Sequence, residues 1–555
     1  MKKKHFLLLS LILLLASCGD SGNSILEKID YIPFRSEQGG NWGLISTDGE
    51  VLFADEFKNR PTVAMHDRFI VENTDGMFEI YSAEKNPKQV GEAFKSIGVF
   101  IEEVTPAVRP GQPVTLVNTE GEEVARLDKL DGKVVTKVTN FNEGIAIYTT
   151  ADGLCGAIDT DGKVVVKAEY AELNPCFDGK MIGIGKKQKE LINDGMRDKA
   201  KISVIDKKGK VIGEIPMGKF SEVGPSFQNG VVQARTEEDG ERCTGLIDEK
   251  GEWVVKPSAK TKIITEVRGK QFVYYDGDSY GLMDFDGDVL IRAKYDMLSF
   301  MADGLLVAKK SGSGKYKYLF IDDKGENVGD ERFKDVDMPI LNSGYALVEL
   351  EKDSYGFVDK KGKIKKTEAD ICDIHFGWAN FVIESDYVDI DAVIAAMELT
   401  QEGIDGLTFG TSARDVANHI AQLKGSGRQA EAKDYTYTSV CNYTKQIGRA
   451  GIAFTITCDG SIAEYTASAG GGYGYAFTDA RITGFGLMIN KNDGYGNSMK
   501  KLAEKLRRTV KGLGKVSDER NEYFEVTTAK GTTIQAAMSE EVIYINLIPT
   551  PAPAE

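Results

Sequence analysis

The side chains of this chain that could do chemistry are few and widely spaced. His66, His375 and His419 are the histidines beyond the N-terminal segment, and they fall in different stretches of sequence. A histidine base or a zinc site would need partners from distant turns, so all three read as structural residues and no metal site is assigned. Asp284-Phe285-Asp286-Gly287-Asp288 invites a calcium reading but lacks the spacing and closing Glu of an EF-hand, which leaves a solvated turn. Gly312-Ser313-Gly314-Lys315 and Gly183-Ile184-Gly185-Lys186 echo phosphate loops. Lys309 and Lys180 stand where such a loop needs its first Gly, and Tyr316 and Lys187 where it needs Ser or Thr. The Gly470–Gly474 run does not open a helix, which disfavours a dinucleotide site. No carboxylate pair stands out as a glycosidase acid and nucleophile. The catalytic and cofactor assignments are therefore none.

Six cysteines follow Cys18: Cys155, Cys176, Cys243, Cys372, Cys441 and Cys458. Cys441 and Cys458 lie on two β-patterned runs joined through Gly448-Arg449-Ala450-Gly451. A two-residue Arg449-Ala450 turn would set them directly opposite each other as a non-hydrogen-bonded pair. There the Cα atoms approach to about 4.5 Å, within disulfide range. The expectation is a disulfide clamping this hairpin, and the alternative is two buried thiols that merely pack.

The N-terminus carries an address. Lys2, Lys3 and Lys4 precede an apolar run, Phe6–Ala16, that is too short to span a bilayer and has the form of a signal-peptide core. It ends in Leu15-Ala16-Ser17-Cys18, which resembles a bacterial lipobox. That resemblance implies that Cys18 is lipid-modified and becomes the first mature residue, anchoring an exported protein to a membrane, with the outer membrane the expected address. Gly19-Asp20-Ser21-Gly22 superficially matches a serine-nucleophile loop, but beside the anchor nothing folded would build an oxyanion hole.

With 555 residues, 41% apolar and 28% charged, the chain can bury a large core and is neither disordered nor collagen-like nor a multi-span membrane protein. Its formal charge of −16 argues against a nucleic-acid partner, because phosphate binding needs clustered Lys and Arg. Residues 388–555 hold 17 basic against 20 acidic side chains, so the acidity belongs to the stretch before them.

That stretch is repetitive. A unit of one residue, Gly, two apolar residues, Asp, two residues and Gly occurs at Trp42-Gly43 (with Ser46 in the Asp place), Cys155-Gly156, Thr244-Gly245, Tyr280-Gly281 and Tyr355-Gly356. Degenerate copies end at Gly121, Gly209 and Gly325, with another at Asn86, so nine copies follow one another at spacings of 35 to 47 residues. Each reads as a short strand, a turn whose Gly takes positive φ, and a returning strand, with a further strand before it and no helical pattern. The arrangement resembles the WG-repeat family, named for the Trp-Gly that survives here as Trp42-Gly43. The resemblance implies an interaction or scaffold module with no shared catalytic residues. Units of three or four strands fit the blades of a propeller-like ring, the expected architecture, and a linear β-solenoid is the alternative.

After about Tyr387 the period stops. A helix over 389–399, another opened by the capping box Ser412-Ala413-Arg414-Asp415, and a third over 498–511 with Met499, Leu502, Ala503, Leu506 and Val510 on one face alternate with strands. The expected organisation is thus a signal peptide (1–17), a tether (18–34), the β-repeats (35–387), a two-layer α+β domain (388–549) and a tail (550–555). Two functions remain open: a non-catalytic binding scaffold for a protein or envelope polymer, and an envelope-polymer hydrolase with carboxylates assembled from several repeats. Scarce histidine and the missing nucleophile motif favour the scaffold.

Overall fold

The computed structural model describes residues 25–549 except positions 239, 302–303, 311–316, 330, 339–343, 366, 368, 375–380, 413–414, 417–418, 420–429, 435–437, 448–449, 460–464 and 467–480. The chain divides into two compact units. Glu384 closes the first, and Ser385–Glu555 together with Pro110–Pro113 forms the second.

In the first unit each repeat is an antiparallel meander of three or four short strands, hereafter a blade. The first blade holds Tyr31–Arg35, Trp42–Ser46 and Val51–Phe57, and the ninth is built on Ala346–Glu351 and Ser354–Val358. The fourth and fifth blades run into one sheet because the ten-residue strand Val164–Leu173 pairs with Cys155–Asp159 along its first part and with Lys180–Gly185 along its second. Successive blades are joined face to face by separate apolar cores. Leu44 and Phe53 of the first blade meet Phe69 and Val71 of the second. Ile145 and Ala157 of the fourth meet Met181 and Ile205 of the fifth, and Phe320 of the eighth meets Val348 and Val358 of the ninth.

The series then closes on itself. Leu347 and Phe357 of the ninth blade share a core with Ile32, Phe34 and Ile45 of the first. After the ninth blade the strand Asp373–Ile374 pairs with Tyr31–Arg35, placing Ile374 opposite Phe34 and Asp373 opposite Arg35, whose side chains form an ion pair. Lys365 bonds Asp48 at 2.9 Å across the same junction. The repeats therefore form a closed, propeller-like ring, and the linear alternative is excluded. Closure leaves no long exposed edge at which another sheet would add.

Two expectations need correction. Residues 25–34 are not a tether: Ile25, Ile29, Ile32 and Phe34 are buried, and Tyr31–Arg35 is a strand of the first blade, because apolar side chains at this spacing are drawn into the closing core. The repeats also contain a helix, Lys186–Asn193, inserted between two strands of the fifth blade. It occupies the longest interval of the series.

The second unit is a nine-stranded antiparallel sheet with helices Ile390–Met397 and Met499–Lys511 packed on it. Its two meanders join where Arg481–Asn490 pairs with the last strand, Val542–Pro549. Strict alternation in Thr532–Met538 and its neighbours buries one face of the sheet. Against that face the long helix lays Met499, Leu502, Leu506 and Val510, all buried, with Ala503 partly so. Ile390–Met397 is capped by Asp389, whose carboxylate accepts from Ala392 N. At the middle helix only some residues are described, and there Ser412 Oγ accepts from Asp415 N while donating to the Asp415 carboxylate.

Candidate functional site

The repeat motif proves to be spent on the fold. The Asp place is held by Ser46, Ser82, Asn118, Asp159, Asp206, Asp248, Asp284, Asp322 and Asp359. At each the side-chain oxygen accepts from backbone N–H groups of its own turn: Asp159 Oδ1 takes those of Asp161 and Lys163, and Asp284 Oδ1 those of Asp286 and Asp288. The calcium-like run at Asp284 is therefore one more copy of this turn. Its closing Gly adopts positive φ, +78° at Gly162 and +89° at Gly287.

The Gly of the Gly-apolar-apolar stretch has a different reason. A Cβ at Gly156 would lie 2.5 Å from Val166 O and 2.6 Å from the Tyr148 ring, and at Gly281 2.6 Å from Ile291 O and 2.7 Å from the Tyr274 ring. Gly43 and Gly245 are closed off likewise, by Phe53 O with the Phe34 ring and by Val255 O with the Trp253 ring. The residue before each Gly points to the opposite face of the strand, so the cover comes from neighbouring strands. At Gly356 the nearest neighbour is Leu350. Trp42 itself is buried with Arg35 and Arg60 against its ring.

Carboxylates from several blades are also engaged between blades. Glu143 and Gly144, with φ of +52° and +80°, form the tight turn ahead of the second strand of the fourth blade. The Glu143 carboxylate accepts from Asp178 N and Gly179 N of the fifth blade, both at 2.8 Å. Asp178 in turn accepts from Gly230 N of the sixth at 2.6 Å, and Glu102 of the third reaches Gly144 N at 3.3 Å. Each carboxylate latches its blade to the next. Glu266 does the same between the seventh and eighth blades, accepting from Ser299 Oγ and Phe300 N at 2.8 Å. Its burial pushes the carboxyl up, against the pull of those bonds.

The second unit holds a denser polar cluster, which the sequence reading missed. Asp405 is the first residue of a two-residue hairpin turn, with φ of +52° followed by +76° at Gly406, between the paired Ile404 and Leu407. Asp-Gly between apolar residues is the sequence signal for such a turn. The turn plants a carboxylate with 1% of its side chain exposed in the core. Lys445 Nζ donates to Oδ1 at 2.6 Å, and Tyr443 OH to Oδ2 at 2.8 Å. His419 Nε2 lies 2.9 Å from Oδ2. Burial pushes Asp405 up, but the three hydrogen bonds and the lysine charge outweigh it and hold the carboxyl below the usual range. Lys445 also donates to Ala396 O near the end of the first helix. With its bonds directed at three side chains, this carboxylate ties a helix, a hairpin and a strand together rather than facing a substrate.

His419 is thus placed in a structural cluster, and His66 lies 3.3 Å from Ile101 O. Cys18, His375, the 312–315 loop and the 470–474 run lie outside the described residues.

The disulfide expectation is overturned by the register. Ile447 pairs with Ala450, not Gly448 with Gly451, so Cys441 faces Ile456 and Cys458 faces Ser439. The described register is therefore one step away from the expected one. The cysteines become diagonal neighbours, buried and unbridged, and burial pushes the thiols up to about 12 at Cys441 and about 11 at Cys458. Both should be alkylated by iodoacetamide after unfolding without reductant, and recovery of a linked peptide would contradict this pairing.

Comparison with known proteins agrees with the repeat. The profile of the WG containing repeat matches residues 156–184 and 280–316, both within the ring. Curated proteins give no match. Among solved structures the chain is similar to BamB from Moraxella catarrhalis, at 14% identity over 48% of this chain and 84% of that one, with a TM-score of 0.28. It is also similar to Hsv2 from Kluyveromyces lactis, at 10% identity over 58% and 94%, with a TM-score of 0.26. The ring rests on its own strand pairings and cores, not on these likenesses.

Proposed function

We propose that this protein is an exported lipoprotein, held to the cell envelope through Cys18, whose ring of β-repeats binds a protein or envelope polymer without turning it over. The observation that carries this reading is the engagement of the motif and latch acidic groups of the ring. The motif side chains close their own turns, and the latch carboxylates of Glu102, Glu143, Asp178 and Glu266 bond the next blade. A general acid–base pair needs carboxyl groups left facing a substrate. What the fold leaves free is the varied surface between motifs, the part of a repeat array that recognises partners. Incubating the purified protein with peptidoglycan, envelope glycans and denatured protein should release no product. Hydrolysis abolished by a single Asp or Glu substitution would overturn the reading.

A further inference from the structure

One blade junction departs from the others. At the position after the turn Asp the repeats carry Thr47, Ala83, Thr119, Thr160, Lys207, Glu249, Asp323 and Lys360, but the seventh blade carries Phe285. The first residue of the fourth strand is aromatic in the sixth blade alone, at Trp253, where its neighbours have residues such as Val164, Val211 and Val289. Both residues border one cleft of about 640 Å³ between the sixth and seventh blades, together with Val255 and Met283; Phe285 packs on the core of that junction, while the Trp253 ring lies over Gly245 on the other face of its sheet. That volume is in the range of ligand sites, roughly 300–1,000 Å³.

The cleft is built by the chain around it. Trp253–Val255 is a strand of only three residues at the outer end of its sheet, so one edge of its backbone has no partner strand. The following loop is pinned rather than loose: Thr261 N donates to Ser258 O, Ser258 N to Thr261 Oγ1, and Thr244 N to Thr261 O. Trp253 is set edge-on to Phe220 at 5.3 Å, and Phe285 lies 6.3 Å from Phe272. The loop brings Lys256 and Lys260 to the rim, both exposed. Neither makes an ion pair or side-chain hydrogen bond among the described residues. Asp286 is the one carboxylate among the lining residues. Two ammonium groups thus sit beside Phe285, Val255, Met283 and a free strand edge, on a unit whose net charge is strongly negative.

We infer that this cleft is a docking site for an extended acidic peptide segment of a partner protein, with an apolar or aromatic side chain seated against Phe285 and carboxylates paired to Lys256 and Lys260. The free edge of Trp253–Val255 is available to the peptide backbone, and the lysines supply the charge selection. The inference rests on the scaffold reading and names the chemistry of the partner. A random heptapeptide phage library panned against the intact protein should return sequences in which Asp or Glu flank Phe, Tyr, Trp or Leu. A synthetic peptide of that consensus should lose at least about tenfold in affinity on the Lys256→Glu/Lys260→Glu variant, and also on Phe285→Ser, with near-identical thermal unfolding of all three proteins. No enrichment, a consensus without carboxylates, or binding unchanged in both variants would overturn the site. In-cell crosslinking of the double-lysine variant separates the two readings: an unchanged partner set refutes this cleft and leaves the scaffold standing, whereas a wild-type protein that crosslinks to nothing refutes the scaffold.

Discussion

Asp405→Ala is expected to destabilise the C-terminal unit by about 3–5 kcal/mol, the cost of removing one partner from a buried charge pair. Lys445, with 14% of its side chain exposed, would lose its 2.6 Å partner, and Tyr443 and His419 would lose their acceptor. The substitution also puts a Cβ-bearing, non-Asx residue at a φ of +52°, which adds strain that Asp tolerates better. Asn at this position keeps the turn and so isolates the charge; it should still cost more than any exposed ion pair of the same unit. Urea unfolding of the three proteins measures the difference, and a loss below about 1 kcal/mol for Asp405→Ala would show that the cluster is not a tie. The same carboxylate gives the unit an acid limb. Its folded pKa is depressed, so its contribution is complete above the unfolded value of about 3.9 and drains away as pH falls through the folded one. Asp405→Asn should flatten that limb.

Cys18→Ala should move the protein out of the membrane. A diacylated cysteine with an amide-linked chain supplies the two or more anchors that stable attachment needs, and the polar run Gly19–Ser24 supplies none. The variant should remain as precursor or partition into the aqueous phase in a detergent-phase separation. A processed variant that stays in the detergent phase would refute the anchor.

The ring was legible because its signal is local and repeated. A turn Asp, Asn or Ser recurs in every blade, mostly with a positive-φ Gly, and in four copies of Gly-apolar-apolar a ring and a carbonyl crowd the Gly. The ring was the expected architecture, but the residues that close it were not legible: the strand Asp373–Ile374 is two residues long and pairs with a segment more than three hundred positions away. The inserted helix Lys186–Asn193 buries no residue, so it offered no apolar stripe to read. The hairpin register failed on one turn residue, and one step was enough to trade an opposed cysteine pair for a diagonal one. Asp405 was missed because its partners lie 14, 38 and 40 residues away, although Asp405-Gly406 itself announced the turn. Sequence reasoning finds what a segment does alone. It does not find what distant segments do together.

The most direct test of the scaffold reading is crosslinking in native cells, followed by mass spectrometry of the linked peptides. The account predicts that links fall on residues 31–384, join the ring to the same partner in repeated isolations, and leave that partner chemically unchanged. Links confined to the C-terminal unit, or a partner recovered cleaved only when the ring is intact, would contradict it.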